Sequence, residues 1–133
     1  MKISILLPYK ENFSINKSGA VSLFVNDVIK NSPHKKNIYV YGKTDENNYL
    51  DKNYINLNFE EKFLKSNSKA YINNFLKHEK KLNSNIIEVH NRPAYIDLIK
   101  KNTKSKLILY YHNDPLSMNG SKTLEERNSL LSK

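Results

Sequence analysis

The 133-residue chain contains no cysteine, only three glycines and four prolines, and no long hydrophobic run. Without cysteine it can form no disulfide, and it can offer neither a thiol nucleophile nor a cysteine-ligated metal site. This absence suits a reducing compartment. The apolar blocks are about five residues long at most, too short for a membrane-spanning helix or for the core of a signal peptide. We therefore expect a cytoplasmic protein.

Arginine is also scarce, because lysine supplies 20 of the 22 basic residues. The net charge of +9 favours an anionic partner such as nucleic acid, an acidic membrane face or a phosphorylated substrate. A biased base composition also explains it, since asparagine occurs 20 times as well. Residues 1–66 carry 10 basic and 7 acidic groups, and residues 67–133 carry 12 and 6. This even spread argues against a nucleic-acid partner. The remaining explanations of the positive charge are a solvated lysine-rich face and peripheral contact with an acidic inner-membrane face.

Short apolar blocks alternate with helical patterns along the chain, which is long enough for one domain. The predicted strands are Ile3–Leu7, Ile38–Tyr41, Ile86–Val89 and Leu107–Tyr111, with a weaker candidate at Tyr54–Leu57. The predicted helices are residues 19–31 with Ser18 as N-cap, residues 60–82 as one helix or two separated at 66–68, residues 93–102, and a last helix opened by the capping box at Thr123–Glu126.

This alternation predicts a doubly wound α/β fold with a mainly parallel, Rossmann-like sheet of about five strands. The expected strand order is 3-2-1-4-5, which places strands 1 and 4 side by side at the switch point where ligands usually bind. The leucines of the last helix need a further surface to cover. We therefore expect residues 1–133 to be one partial domain, cut before the last strands of its sheet.

Polar clusters follow three of the predicted strands, at the edge where an open α/β sheet places its site. After strand 1, Ser18 and Gly19 start a helix whose backbone N–H groups suit a phosphate, although a lone glycine equally indicates a tight turn. After strand 4 come His90, Asn91 and Arg92. The arginine can hold an anion in fork geometry, or these residues can simply pack and cap the next helix.

The cluster after strand 5 consists of His112, Asn113 and Asp114, followed by Pro115. A histidine and a carboxylate two residues apart can do acid–base work, whereas Asp114 before proline is also a common turn former. The other two histidines, His34 and His78, lie in a predicted loop and helix, so a three-histidine metal site is not expected. The cluster favours hydrogen bonds to a sugar or phosphate, and we expect neither a metal nor a cofactor.

Taken in order and spacing, these segments resemble the N-terminal domain of family 4 glycosyltransferases, which are GT-B enzymes. The segments are Met1–Pro8, Ser18–Val21, Glu88–Pro93 and Leu109–Pro115. The nearest likeness is to bacterial members that act on lipopolysaccharide and other surface glycans. The resemblance implies two Rossmann-like domains, with the acceptor bound mainly by the N-terminal one and the nucleotide-sugar mainly by the C-terminal one.

The resemblance further implies a retaining, metal-independent transfer to a glycan or lipid-linked acceptor. Gly19 would approach the donor phosphates, His112 would lie near the transferred sugar, and the residues after strand 4 would position the acceptor or a loop. The family's paired-glutamate motif belongs to the C-terminal domain, which this chain lacks, so we expect the chain alone to be inactive. The alternatives are a stand-alone flavodoxin-like module for a nucleotide or phosphorylated ligand and, with less support, a nucleic-acid binder.

Overall fold

A computed structural model describes residues 1–132, which form five strands and four α-helices. The strands are β1 (Ile3–Leu6), β2 (Ile38–Gly42), β3 (Tyr54–Asn56), β4 (Ile86–His90) and β5 (Lys106–Tyr110). The helices are α1 (Ala20–Asn31), α2 (Asn67–Leu82), α3 (Ile96–Asn102) and α4 (Leu124–Leu131), with short 3-10 turns at Lys35–Asn37, Pro93–Tyr95 and Pro115–Ser117.

All strand pairs are parallel, and their order is β3-β2-β1-β4-β5. The fold is therefore the doubly wound, Rossmann-like α/β sheet that the alternation of strands and helices predicts. Ile3 pairs with both Ile38 and Ile86, so β1 lies at the centre between β2 and β4. The carboxyl ends of β1, β4 and β5 consequently meet at one edge.

The two faces of the sheet bury separate apolar clusters, because side chains alternate along each strand. On one face α2 and α3 cover Leu6, Tyr41 and Val89. On the other face α1 packs Val25 and Ile29 against β1 and β2. Burial of this apolar surface is the main stabilising contribution to the fold.

Two expectations about the elements were wrong. The predicted helix 60–82 begins only at Asn67, where the Ser66 side chain accepts a hydrogen bond from the Lys69 backbone as N-cap. Phe63 and Leu64 precede that cap and are exposed, so they do not contribute to the core. The near-continuous apolar run Leu107–Tyr111 also predicts a strand buried on both faces, but β5 is only partly buried. It lies at the sheet edge, where no further strand among residues 1–132 covers it, and Tyr110 is exposed.

A buried carboxylate ties α2 to the amino end of the sheet, opposite the predicted site. Glu79 accepts hydrogen bonds from the Ser4 hydroxyl at 2.6 Å and from the Ser84 backbone N–H at 2.7 Å. The Ser84 hydroxyl bonds to the same carboxylate. A buried charge is tolerated when such bonds replace its hydration, so Glu79 is explained as a structural group. Within residues 1–132, no helix is long and apolar enough to cross a membrane.

Candidate functional site

The loops after β4 and β5 are joined by two side-chain contacts between residues 22 positions apart. His90 Nδ1 lies 2.9 Å from His112 Nε2, and the Asn91 amide donates to Asn113 Oδ1 at 2.6 Å. Both pairs follow from the strand register, in which His90 lies opposite Tyr110. The two polar clusters that sequence places after strands 4 and 5 therefore form a single assembly.

Asn91 is the structural centre of this assembly. Its backbone adopts a left-handed conformation with φ of 57°, which asparagine tolerates better than most residues. Its side-chain oxygen accepts hydrogen bonds from the backbone N–H groups of His112 at 3.1 Å and Asn113 at 3.3 Å. The side chain is buried, so these bonds fix the start of the β5 loop rather than meet solvent.

His112 lies two residues beyond β5 and is half-buried, at the same edge as Gly19. Its ring makes an edge contact with Phe24 of α1 at 5.0 Å and packs beside Tyr110 at 4.9 Å. Burial lowers the pKa of His112 from the usual 6.5, and the neighbouring His90 lowers it further, while the Glu11 carboxylate acts in the opposite direction. A neutral imidazole is consequently favoured at neutral pH.

Glu88 is a member of this assembly that the sequence analysis missed. Its Oε2 lies 3.3 Å from His90 Nε2, while the His90 ring is only 2% exposed and stacks on Tyr110. Glu88 and His90 are two positions apart on β4 and therefore share one face of the sheet. The available signal was a lone carboxylate inside the otherwise apolar segment Ile86–Val89.

The N-terminus of α1 is capped by a distant carboxylate and not by Ser18. Gly19 is the N-cap residue and makes no side-chain cap, so the expectation for Ser18 was wrong. Glu11 instead reaches over the helix and accepts a hydrogen bond from the Ser22 backbone N–H at 3.0 Å. A Cβ on residue 19 would clash with the Glu11 carboxylate, which explains the glycine. The helix dipole at this end already faces one negative group.

Arg92 borders a cavity of about 620 Å³ between the β4 loop and the start of α2. Lys69 and Arg92 supply two positive charges, and Tyr95 and Asn119 also line the space. One guanidinium nitrogen of Arg92 donates to the Asn91 backbone carbonyl at 2.8 Å, and this bond fixes the position of the guanidinium group. The cavity suits a polar ligand that carries negative charge.

The rest of the β5 loop is fixed by local bonds. Asp114 accepts a hydrogen bond from the Leu116 backbone at 2.9 Å and so caps the 3-10 turn at Pro115–Ser117, as a turn former does. Gly120 has φ of 95°, and a Cβ there would lie 2.7 Å from the Ala94 nitrogen. Arg127 of α4 donates to the carbonyls of Ser121 at 3.0 Å and Lys122 at 2.7 Å. These hydrogen bonds hold the β5 loop in a defined conformation.

Within residues 1–132, no group of three or more histidine, cysteine or acidic side chains is arranged to hold a metal ion. The arrangement can hydrogen-bond hydroxyl groups through His112 and can attract an anion through Arg92 and Lys69. Comparison with protein-family models, with curated proteins and with solved structures finds no match to this chain.

Proposed function

We propose that this chain is the acceptor-side domain of a retaining glycosyltransferase that moves a sugar from a nucleotide-sugar to a surface glycan or a lipid-linked acceptor. The observation that supports it most is the joined assembly of the β4 and β5 loops at the carboxyl edge of the sheet. It brings a neutral, half-buried histidine to the switch point, where α/β sheets bind ligands. The motif resemblance described above points to the same edge.

The cavity beside Arg92 is the proposed acceptor site, and the region around His112 is the proposed site of the transferred sugar. Both are formed by loops that follow the neighbouring strands β4 and β5. In such a reaction His112 needs only to stabilise charge and hold a hydroxyl group. A retaining mechanism in which charge stabilisation dominates does not require it as a general base.

The alternative of a stand-alone nucleotide-binding module has less support. Such a module would use the N-terminus of α1 for a phosphate, but the Glu11 carboxylate already caps this end. A phosphate placed there would have to displace Glu11 or bind beside a like charge, and the same carboxylate weighs against the expected contact of Gly19 with donor phosphates.

Titration of the ¹⁵N-labelled 133-residue chain, followed by amide NMR spectra, tests the proposal. We expect a phosphorylated oligosaccharide to shift the amides of residues 90–92 and 117–119, and uridine or guanosine diphosphate to bind only weakly. The variant Arg92→Gln should lose the response to the phosphorylated sugar. The charge-matched control is Lys36→Gln, because Lys36 precedes β2 and lies at the opposite, amino end of the sheet. Micromolar binding of a mononucleotide with no response to sugars would overturn the proposal.

A further inference from the structure

Glu88, His90 and His112 form a continuous row of three titratable groups. The Glu88 carboxylate is 3.3 Å from His90 Nε2, and His90 Nδ1 is 2.9 Å from His112 Nε2. His90 lies in the middle with both ring nitrogens engaged and almost no exposure to solvent. His112, at the outer end, is half-buried, and no hydrogen bond within residues 1–132 reaches its Nδ1.

The position of each proton in this row follows from hydrogen-bond chemistry. A neutral imidazole has one N–H and one lone pair, and an ionised carboxylate can only accept. With His90 neutral and Glu88 ionised, the N–H of His90 lies on Nε2, where it faces Glu88. Its Nδ1 then carries the lone pair and needs a donor, which His112 Nε2 supplies. This leaves the lone pair of His112 on Nδ1, the nitrogen without a partner.

We propose that Glu88 and His90 are positioning residues that hold His112 in its Nε2–H tautomer, so that Nδ1 accepts a hydrogen bond from a hydroxyl group of the bound sugar. The functional part of this inference rests on the proposed function, and the tautomer itself does not. In the opposite tautomer the outward nitrogen would be an N–H donor, which binds a phosphate oxygen as well as a hydroxyl oxygen. The carboxylate on β4 thus favours a hydroxyl ligand at His112 by leaving no N–H there for an ionised phosphate.

Long-range ¹H–¹⁵N NMR of the histidine rings in the 133-residue chain tests the tautomer directly. The measurement is made at about pH 8, above the ordinary histidine pKa of ~6.5. We expect His112 to show a protonated Nε2 and an unprotonated Nδ1. In Glu88→Gln the carboxamide can either donate to or accept from His90 Nε2, so both proton arrangements of the row become possible and the fraction of the Nδ1–H form of His112 should rise. A backbone amide spectrum checks that this isosteric variant is folded.

The matched control is Asp27→Asn, which removes one carboxylate charge from the exposed face of α1 and should leave the His112 signals unchanged. His90→Phe provides a second variant, because it removes the link while filling the buried space, and should give a mixture of His112 tautomers. A wild-type His112 with Nδ1 protonated, or a His112 tautomer unaffected by both variants, would overturn the inference.

Two simple probes separate this inference from the proposed function. Methyl α-glucoside should shift the ring signals of His112 in the wild type more than inorganic phosphate does, and Glu88→Gln should increase the response to phosphate and so reduce this preference. If the tautomer changes as expected but neither probe affects His112, the row stands as a structural device and the sugar-binding role is overturned. If the glucoside binds while the tautomer is insensitive to Glu88, sugar binding stands and the positioning role is overturned.

Discussion

Two nearly identical four-residue segments lie at the carboxyl ends of neighbouring strands, His90-Asn91-Arg92-Pro93 at the end of β4 and His112-Asn113-Asp114-Pro115 two residues beyond β5. In the first segment the histidine and asparagine are buried, with 2% and 7% exposure, whereas in the second His112 is half-buried and Asn113 is exposed. The difference arises from sheet position, because β4 is internal and β5 is an edge strand. The inner segment holds the outer one in place through its hydrogen bonds, and the outer one carries the half-buried His112 at which we propose that the ligand binds.

The largest loss of stability is expected from replacing Asn91, the asparagine of the inner segment. Asn91→Ala loses two accepted bonds and one donated bond, and forces alanine into a left-handed backbone. With about 1 kcal/mol for each net hydrogen bond and 1–2 kcal/mol for the backbone, it should lower the free energy of unfolding by ~4–5 kcal/mol. Asn113→Ala, on the exposed side, should lower it by less than ~1 kcal/mol. Urea unfolding curves measure both.

Asn91→Gly serves as the control, since glycine adopts the left-handed conformation without strain. It should therefore be less damaging than Asn91→Ala by about 1 kcal/mol. Equal effects of the inner and outer alanine variants would contradict the division of roles between the two segments.

The outer histidine is expected to matter for turnover more than for stability. In the transferase to which we assign this domain, His112→Ala should lower kcat by ~10²-fold, which corresponds to ~2.7 kcal/mol of barrier. Because His112 is half-buried, water can replace it beside His90, and the stability loss should stay within ~1 kcal/mol. Steady-state kinetics with a thermal unfolding scan compare the two. Full activity in His112→Ala would show that His112 is not part of the site.

A smaller effect is expected from Asp114, which caps the 3-10 turn in the outer segment. Asp114→Ala should cost about 1 kcal/mol through loss of the bond from the Leu116 backbone. Asp114→Asn keeps an accepting oxygen and should be near neutral. A large loss of sugar binding in Asp114→Asn, with unchanged stability, would instead show that the carboxylate charge contacts the ligand.

The weakest effect expected is a change in the pH dependence of stability. Since burial and His90 lower the pKa of His112 below 6.5, the unfolded chain binds a proton more readily than the folded chain. The contribution of His112 to the free energy of unfolding is therefore fully present above pH 6.5. It is lost as the pH falls from 6.5 toward the lower pKa of the folded state. His90 and Glu11 are the titratable groups that act on the same ring. Unfolding measured in His112→Asn should show a shallower fall with acid than the wild type.

The strand order and the edge that carries the two histidines could be predicted from sequence, because short β-branched blocks between amphipathic helices leave few parallel arrangements. The contacts within the site could not be predicted from sequence. The bridge from Asn91 to Asn113 depends on the register of β4 with β5 and on a left-handed residue. Ser18 is a good local N-cap, yet Glu11 takes that role from eight positions before Gly19, which no local propensity reveals.

The two hydrogen bonds from Arg127 to the end of the β5 loop have a consequence for local opening. Since α4 holds the carbonyls of Ser121 and Lys122, and the Ser121 hydroxyl in turn bonds to the Pro115 carbonyl, the helix and the loop cannot detach separately without losing these bonds. We therefore expect them to open as one cooperative unit in amide hydrogen exchange. A ligand held at His112 should therefore slow exchange along α4, a helix that it does not touch.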